Sequence, residues 1–179
     1  MSSMLSQSYY PPPKFYFSVS VLYSAPYPVL PTPIDSSFQE VTGINVEFGV
    51  EEVAEGGENR FVHRLPKQAK YPPLVCKRGV VTTMSGLGDW VPNTLNSTLS
   101  TPIIPQNLLV MLLGADGIPL VAWGFANAWP LKWTTSSLNS TENEIATESL
   151  EFAYSYFIRT VIASPTSVAS SVALLTANL

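Results

Sequence analysis

Residues 107–133 read NLLVMLLGADGIPLVAWGFANAWPLKW, two apolar runs on either side of a short polar break. Residues 107–113 are strongly apolar and have the length of a β-strand. Residues 114–117, Gly-Ala-Asp-Gly, are of the types that favour a tight turn. Residues 118–133 are rich in aromatic side chains, and alternate positions from Val121 to Phe125 share one face. The stretch therefore predicts a hairpin of two long β-strands.

Apolar residues recur at every second position in several other segments, which is typical of half-buried strands. Turn signals at Thr42-Gly43 and Gly56-Gly57 separate these segments, and Pro66 is expected to end the strand before it. The further predicted strands are 15–23, 38–53 (one bent strand or a pair), 60–65, 74–82 and 148–159. Six or seven strands predict an all-β protein, either a sandwich or a barrel.

One segment, 84–99, is a candidate helix. Proline is tolerated in the first turn of a helix, but further along it removes a hydrogen bond and breaks the helix. Pro92 therefore predicts that any helix here is short or displaced, so that at most one short helix flanks the strands.

The charge content favours a protein that assembles with others. Charged residues make up 12% of the 179 residues, where about 25% is usual. A surface with so few charges is most simply explained by burial against other subunits. The alternative is a solitary protein with a surface rich in serine, threonine and proline. A net charge of −4 argues against binding nucleic acid by bulk attraction.

The N-terminal residues lack the pattern of a signal peptide, and no run of 18 apolar residues suggests a membrane span. We therefore expect synthesis and assembly in the cytoplasm without a signal peptide, and no stable membrane association.

The sequence offers few residues for catalysis or metal binding. His63 is the one histidine and Cys76 the one cysteine, so a nucleophile–base pair is formally possible. Cys76 lies in an apolar run, however, where an inert buried thiol is the simpler interpretation. Glu51, Glu52, Glu55 and Glu58 are close in sequence, but alternation spreads them over two strand faces and a turn. We therefore predict no enzyme activity, no metal site and no cofactor.

Charges are strongly segregated along one part of the chain. Residues 35–58 contain seven acidic residues and no basic ones, whereas 60–78 contain six basic residues and no acidic ones. In one interpretation, the two strands of a single hairpin pair these charges within the subunit. In the other, the acidic edge of one subunit contacts the basic edge of its neighbour, an arrangement that generates rings. Charge alone slightly favours the first.

The run GGENRFVHRLP (56–66) is the most specific of several segments that closely resemble one known family. That family is the phage tail tube family of contractile tails, which also supplies the inner tubes of extracellular contractile injection systems. The other matching segments are PKFYF (13–17), FQEVTG (38–43), LVCKRG (74–79), AWPLKW (128–133) and ESLEFAYSYF (148–157). Together they span most of residues 11–159.

The resemblance implies a fold and an assembly. The expected fold is a β-barrel of two packed antiparallel sheets with one flanking helix, similar to the type VI secretion tube protein. Six copies are expected to close into a ring, and rings to stack into a hollow tube inside a contractile sheath. Expected partners are sheath, baseplate or spike, and cap proteins, with DNA or a protein effector as transient cargo in the lumen.

The resemblance also implies that the hairpin around residues 51–66 reaches neighbouring subunits, which favours the intermolecular interpretation of the charges. The predicted interface residues are Glu51, Glu52, Glu58, Asn59, Arg60, Phe61, His63, Arg64, Pro66 and Lys67. The predicted domains are a proline-rich lead-in (1–13), the tail-tube β-barrel (14–159) and an uncharged extension (160–179). The alternatives are a paralogue that starts or ends the tube, and a ring-forming secretion protein that carries small effectors.

Overall fold

The computed structural model describes residues 17–22, 38–57, 60–80, 86–138 and 145–162. These form nine antiparallel strands and one helix. The elements are β1 (Phe17–Leu22), β2 (Phe38–Thr42), β3 (Glu47–Val53), β4 (His63–Lys70), β5 (Leu74–Gly79), α1 (Gly86–Asn96), β6 (Gln106–Leu113), β7 (Pro119–Thr135), β8 (Thr147–Ala153) and β9 (Tyr156–Val161). The lead-in 1–13, Glu58, Asn59 and residues 163–179 lie outside the described residues.

Two antiparallel sheets share the long strand β7. The first half of β7 pairs with β6 and β9, and β1 lies beyond β6. The second half pairs with β8, which is followed by β5 and β2. Apolar side chains from both sheets meet in one buried cluster that includes Val19, Leu74, Leu108, Phe125 and Phe152. The predicted all-β fold of two packed antiparallel sheets with one short helix is confirmed.

The strand β7 changes sheets at Asn127, which has a positive φ of 51°. The Asn127 backbone N–H donates to Oδ1 of Asn107 at 3.0 Å, and the amide of Ser155 donates to the Ala126 carbonyl at 2.9 Å. Residue Ser155 lies between β8 and β9. The chain after β8 therefore crosses from one sheet to the other where β7 does. The prediction of a single strand over 148–159 is wrong for this reason.

Strand β1 is buried on both faces, although its alternation predicted a half-buried strand. Val19 and Val21 face the main core. On the other face Ser18 and Ser20 are also buried, and Leu22 joins a second apolar cluster with residues of β6, β7 and Ile162. Alternation of polar and apolar residues thus does not show whether the polar face meets solvent.

The helix α1 runs through Pro92, its seventh residue, so the expectation that Pro92 is confined to the first turn or breaks the helix is wrong. Proline inside a helix costs about 3 kcal/mol, and packing offsets this cost. Leu87 and Val91 are fully buried, and the Trp90 ring stacks on Phe152 with centroids 5.8 Å apart. Among the described residues, no helix is long and apolar enough to cross a membrane.

Candidate subunit interface

Strands β3 and β4 form a separate two-stranded hairpin that pairs with neither main sheet within the described residues. It leaves the barrel between the end of β2 and the start of β5. At its base, Gly43 has a φ of +88° and lies against the Pro73 carbonyl. The Gly43 carbonyl accepts a hydrogen bond from the Tyr154 hydroxyl at 3.2 Å. The exit point of the hairpin is thus fixed to the barrel, and the predicted turn at Gly56-Gly57 lies at its tip.

Strand β4 contains Pro66 in its interior, so the prediction that Pro66 ends the strand is wrong. Pro66 lies opposite Val50, next to a register shift between Phe48 and Val50. An edge strand tolerates proline because its outer side needs no backbone donor. The strand begins at His63, which leaves residues 60–62 outside the ladder.

The hairpin pairs its opposite charges within the chain. Nε of Arg64 lies 3.2 Å from Oε1 of Glu52, and Nζ of Lys67 lies 3.6 Å from Oε2 of Glu51. The intramolecular interpretation of the charge pattern is therefore correct for these pairs. Both are solvent-exposed, and such pairs contribute only about 0–1 kcal/mol each. The intermolecular interpretation stays a prediction.

Large apolar side chains are exposed on the same hairpin. Phe48 is 65% exposed and Phe61 52% exposed, and Val50, Val62 and Leu65 are also exposed. A two-stranded hairpin without a core is marginally stable alone, and grouped exposed apolar side chains are typical of interaction sites. Phe48, Val50, Val62 and Leu65 were not among the predicted interface residues, because strand alternation implies one covered face without showing which residues stay uncovered.

The predicted interface residues that the structure describes all lie on this hairpin. Glu51 and Glu52 are on β3 and point to opposite faces. Arg60 and Phe61 precede β4, whereas His63, Arg64, Pro66 and Lys67 are on it. The set is grouped on one exposed hairpin but lies on both of its faces, and its role in subunit contact stays a prediction.

Cys76 and His63 are not arranged for catalysis. Cys76 lies in the core on β5, fully buried, which confirms the interpretation as a buried thiol. His63 lies on the exposed hairpin beside Glu55, with its ring edge-on to Phe61 at 5.0 Å. Within the described ranges, no group of three or more His, Cys, Asp or Glu side chains is placed to hold a metal ion.

Burial raises the pKa of the Cys76 thiol from 9.0 to about 12, an effect that Arg78 partly opposes. We expect iodoacetamide at pH 8 to leave Cys76 unmodified in the folded protein and to modify it in urea, as mass spectrometry would detect. Because the pKa is higher in the folded state, the contribution of this thiol to the free energy of unfolding is fully present below pH 9. That contribution is lost as the pH rises from 9 to about 12. Rapid alkylation of the native protein would contradict the burial.

Comparison with known proteins agrees with this architecture. The model of the family described as T4-like virus tail tube protein gp19 matches residues 13–158. No curated protein matches the chain. The solved structures that are similar include one from the anti-feeding prophage and two from the PVC particle. A chain of the anti-feeding prophage baseplate has a TM-score of 0.71 and 24% identity, covering 92% of this chain and all of that one.

A chain of the PVC sheath–tube complex, from an extracellular contractile injection system, has a TM-score of 0.70 and 24% identity over 90% of this chain and 100% of that one. A chain of the PVC sheath/tube terminator has a TM-score of 0.68 and 24% identity over 85% of this chain and 98% of that one. At these identities the structures show the fold. The match of the family model over residues 13–158 shows that the chain belongs to the T4-like tail tube proteins, a family of structural proteins that are not known as enzymes.

Proposed function

We propose that this tube protein closes into six-membered rings, and that the rings stack into the inner tube of a contractile tail or injection particle. The observation that carries the proposal is the β3–β4 hairpin, which stands apart from both sheets and exposes Phe48, Val50 and Phe61. Burial of these side chains against neighbouring copies would remove apolar surface from water. A six-fold symmetrised structure contains one of the similar chains, which supports the ring size.

The proposed partners follow from the particles that contain similar chains. Those structures are described as a baseplate, a sheath–tube complex and a sheath/tube terminator. We propose baseplate or spike, sheath and cap proteins as partners of this chain. We further propose that DNA or a protein effector passes through the lumen of the tube. The similar chain from a terminator complex supports a second candidate function, a subunit that ends the tube.

Size and shape measurements on the purified full chain test the proposal. Sedimentation velocity and negative-stain microscopy are expected to show six-membered rings and, at higher concentration, stacked tubes. Single rings that never stack would favour the terminator. A strictly monomeric chain at high concentration would contradict ring formation altogether.

Charge reversal on the hairpin is expected to weaken assembly more than folding. The variant Arg64→Glu opposes Glu52 and removes a base from the proposed contact, so the assembled fraction in sedimentation should fall. The free energy of unfolding should change by at most about 1 kcal/mol, because the pair is exposed. Lys132→Glu is the matched control, since Lys132 is in a similar exposed pair with Glu151 away from the hairpin.

The swapped variant Glu52→Arg/Arg64→Glu separates the two interpretations of the charges. It keeps an opposite-charge pair inside the hairpin, but it reverses the charge that each of the two positions presents to a neighbouring subunit. If the charges act between subunits, the swap leaves assembly impaired. Full recovery of assembly would mean that the pair serves only the hairpin itself.

A further inference from the structure

A groove open to solvent lies between α1 and the segment that leads from it into β6. Its volume is about 350 Å³, at the lower end of the range of roughly 300–1,000 Å³ for ligand pockets. The wall on the helix side includes Trp90, whose position is fixed by its stack on Phe152. The opposite wall includes Ile103 and Ile104, and Ile104 is 58% exposed. The groove thus offers apolar walls that remain uncovered in the single chain.

The charge of the groove selects the kind of occupant. Asp89 is the one charged residue among those that line it. The remaining lining residues supply neutral polar groups, such as those of Asn93 and Thr94, beside the apolar walls. An acidic group next to an aromatic face and two isoleucines suits a segment that carries both a cation and apolar side chains.

The hairpin carries a segment of this composition. Residues 60–64 read Arg-Phe-Val-His-Arg and contain no acid. Phe61 and Val62 precede the ladder of β4 and are about half exposed. The Arg64 side chain, although near Glu52, is itself 73% exposed. The segment therefore presents two apolar side chains between cationic residues at the free end of a projecting element.

We propose that Phe61 and Val62 of one copy occupy the α1 groove of a second copy, with the arginines at 60 and 64 near its Asp89. The inference rests on the proposed ring and tube assembly, and it names where the hairpin docks. The two surfaces are different parts of the same chain, so each copy uses both at once. Such a head-to-tail contact continues from copy to copy, as a ring or a stack requires.

Cross-linking between two different variants tests this contact. Cys76 is buried and its thiol pKa is about 12, so introduced cysteines are the reactive ones. Val62→Cys chains are mixed in the unassembled state with size-tagged Ile104→Cys chains, allowed to assemble, and then oxidised. We expect a disulfide-linked species with one chain of each kind, because docking holds the thiols at an effective concentration in the millimolar range.

The control replaces Ile104→Cys with Leu138→Cys, since Leu138 is 82% exposed and does not line the groove. The expected yield of the mixed dimer is at least about tenfold above the yield in the control, because the thiols of the control pair meet only by collision. Assembled particles with no excess of cross-link would overturn the docking proposal but leave the ring proposal intact. If microscopy of the parent chain shows no assembly, both proposals fail.

Discussion

Replacing Glu148 with alanine is expected to destabilise the folded chain by about 3–5 kcal/mol, because it removes the carboxylate that faces a buried guanidinium. Oε1 of Glu148 accepts a hydrogen bond from Nε of Arg78 at 2.6 Å, and these side chains are only 8% and 2% exposed. Oε2 accepts another from Nε1 of Trp133 at 2.9 Å. The Arg78 guanidinium also lies over the Phe38 ring, 5.3 Å from its centroid. One carboxylate thus connects β5, β7 and β8 in the second sheet.

Urea unfolding followed by circular dichroism measures this loss. Glu151→Ala is the matched control on the same strand, since its carboxylate pairs with the exposed Lys132 at 3.2 Å, and it should cost at most about 1 kcal/mol. The double variant Arg78→Met/Glu148→Leu should be more stable than Glu148→Ala, because it removes both buried charges and fills the site. Similar losses for Glu148→Ala and Glu151→Ala would contradict a buried, structurally important pair.

The strands of the two sheets were predictable because alternation is a local property. The hairpin of β6 and β7, with its turn at residues 114–117, agrees with the pattern in residues 107–133. The pairing of Arg78 with Glu148 was not predictable, because its partners are 70 residues apart. In the sequence Arg78 was one member of a basic run, and nothing local shows that it is buried.

Two wrong predictions, the single strand over 148–159 and the break of the helix at Pro92, have a common physical cause: contacts between distant segments outweigh a local pattern. The two-residue period continues through residues 148–159, and the break at Ser155 follows from the change of sheets at Asn127, a contact between distant segments. The helix continues through Pro92 because tertiary packing outweighs a local penalty.

The sequence predicted which hairpin forms the candidate site, but not which of its side chains are exposed. The charge segregation and the resemblance located the hairpin, and the structure places the described members of the predicted set on it. Periodicity could not show that Phe48 and Leu65 remain exposed, since their alternation is equally compatible with a covered face. The α1 groove carries no sequence signal, because its lining comes from side chains on a helix and on the irregular segment that follows it.

The variant Gly43→Ala is expected to impair both folding and assembly, because Gly43 lies where the hairpin leaves the barrel. Its φ of +88° strains any residue with a Cβ, and an added Cβ would lie 2.0 Å from the Pro73 carbonyl oxygen. The strained φ alone costs about 1–3 kcal/mol. The clash is with backbone, so relief requires movement of the segment between β4 and β5. Such movement would also disturb the hydrogen bond from Tyr154 to the Gly43 carbonyl.

The variant Gly57→Ala separates strain from collision. Gly57 has a similar φ of +95°, but an added Cβ would meet nothing within 4 Å. Both variants therefore bear the cost of the left-handed backbone, and the excess loss in Gly43→Ala measures the contact at the hairpin base. We expect Gly43→Ala to lose more unfolding free energy in urea and, at matched folded concentration, to sediment with a smaller assembled fraction. Equal free energies of unfolding for the two variants would show that the backbone at the hairpin base moves to accommodate the Cβ at little cost. An unchanged assembled fraction would mean that the direction of the hairpin does not govern subunit contact.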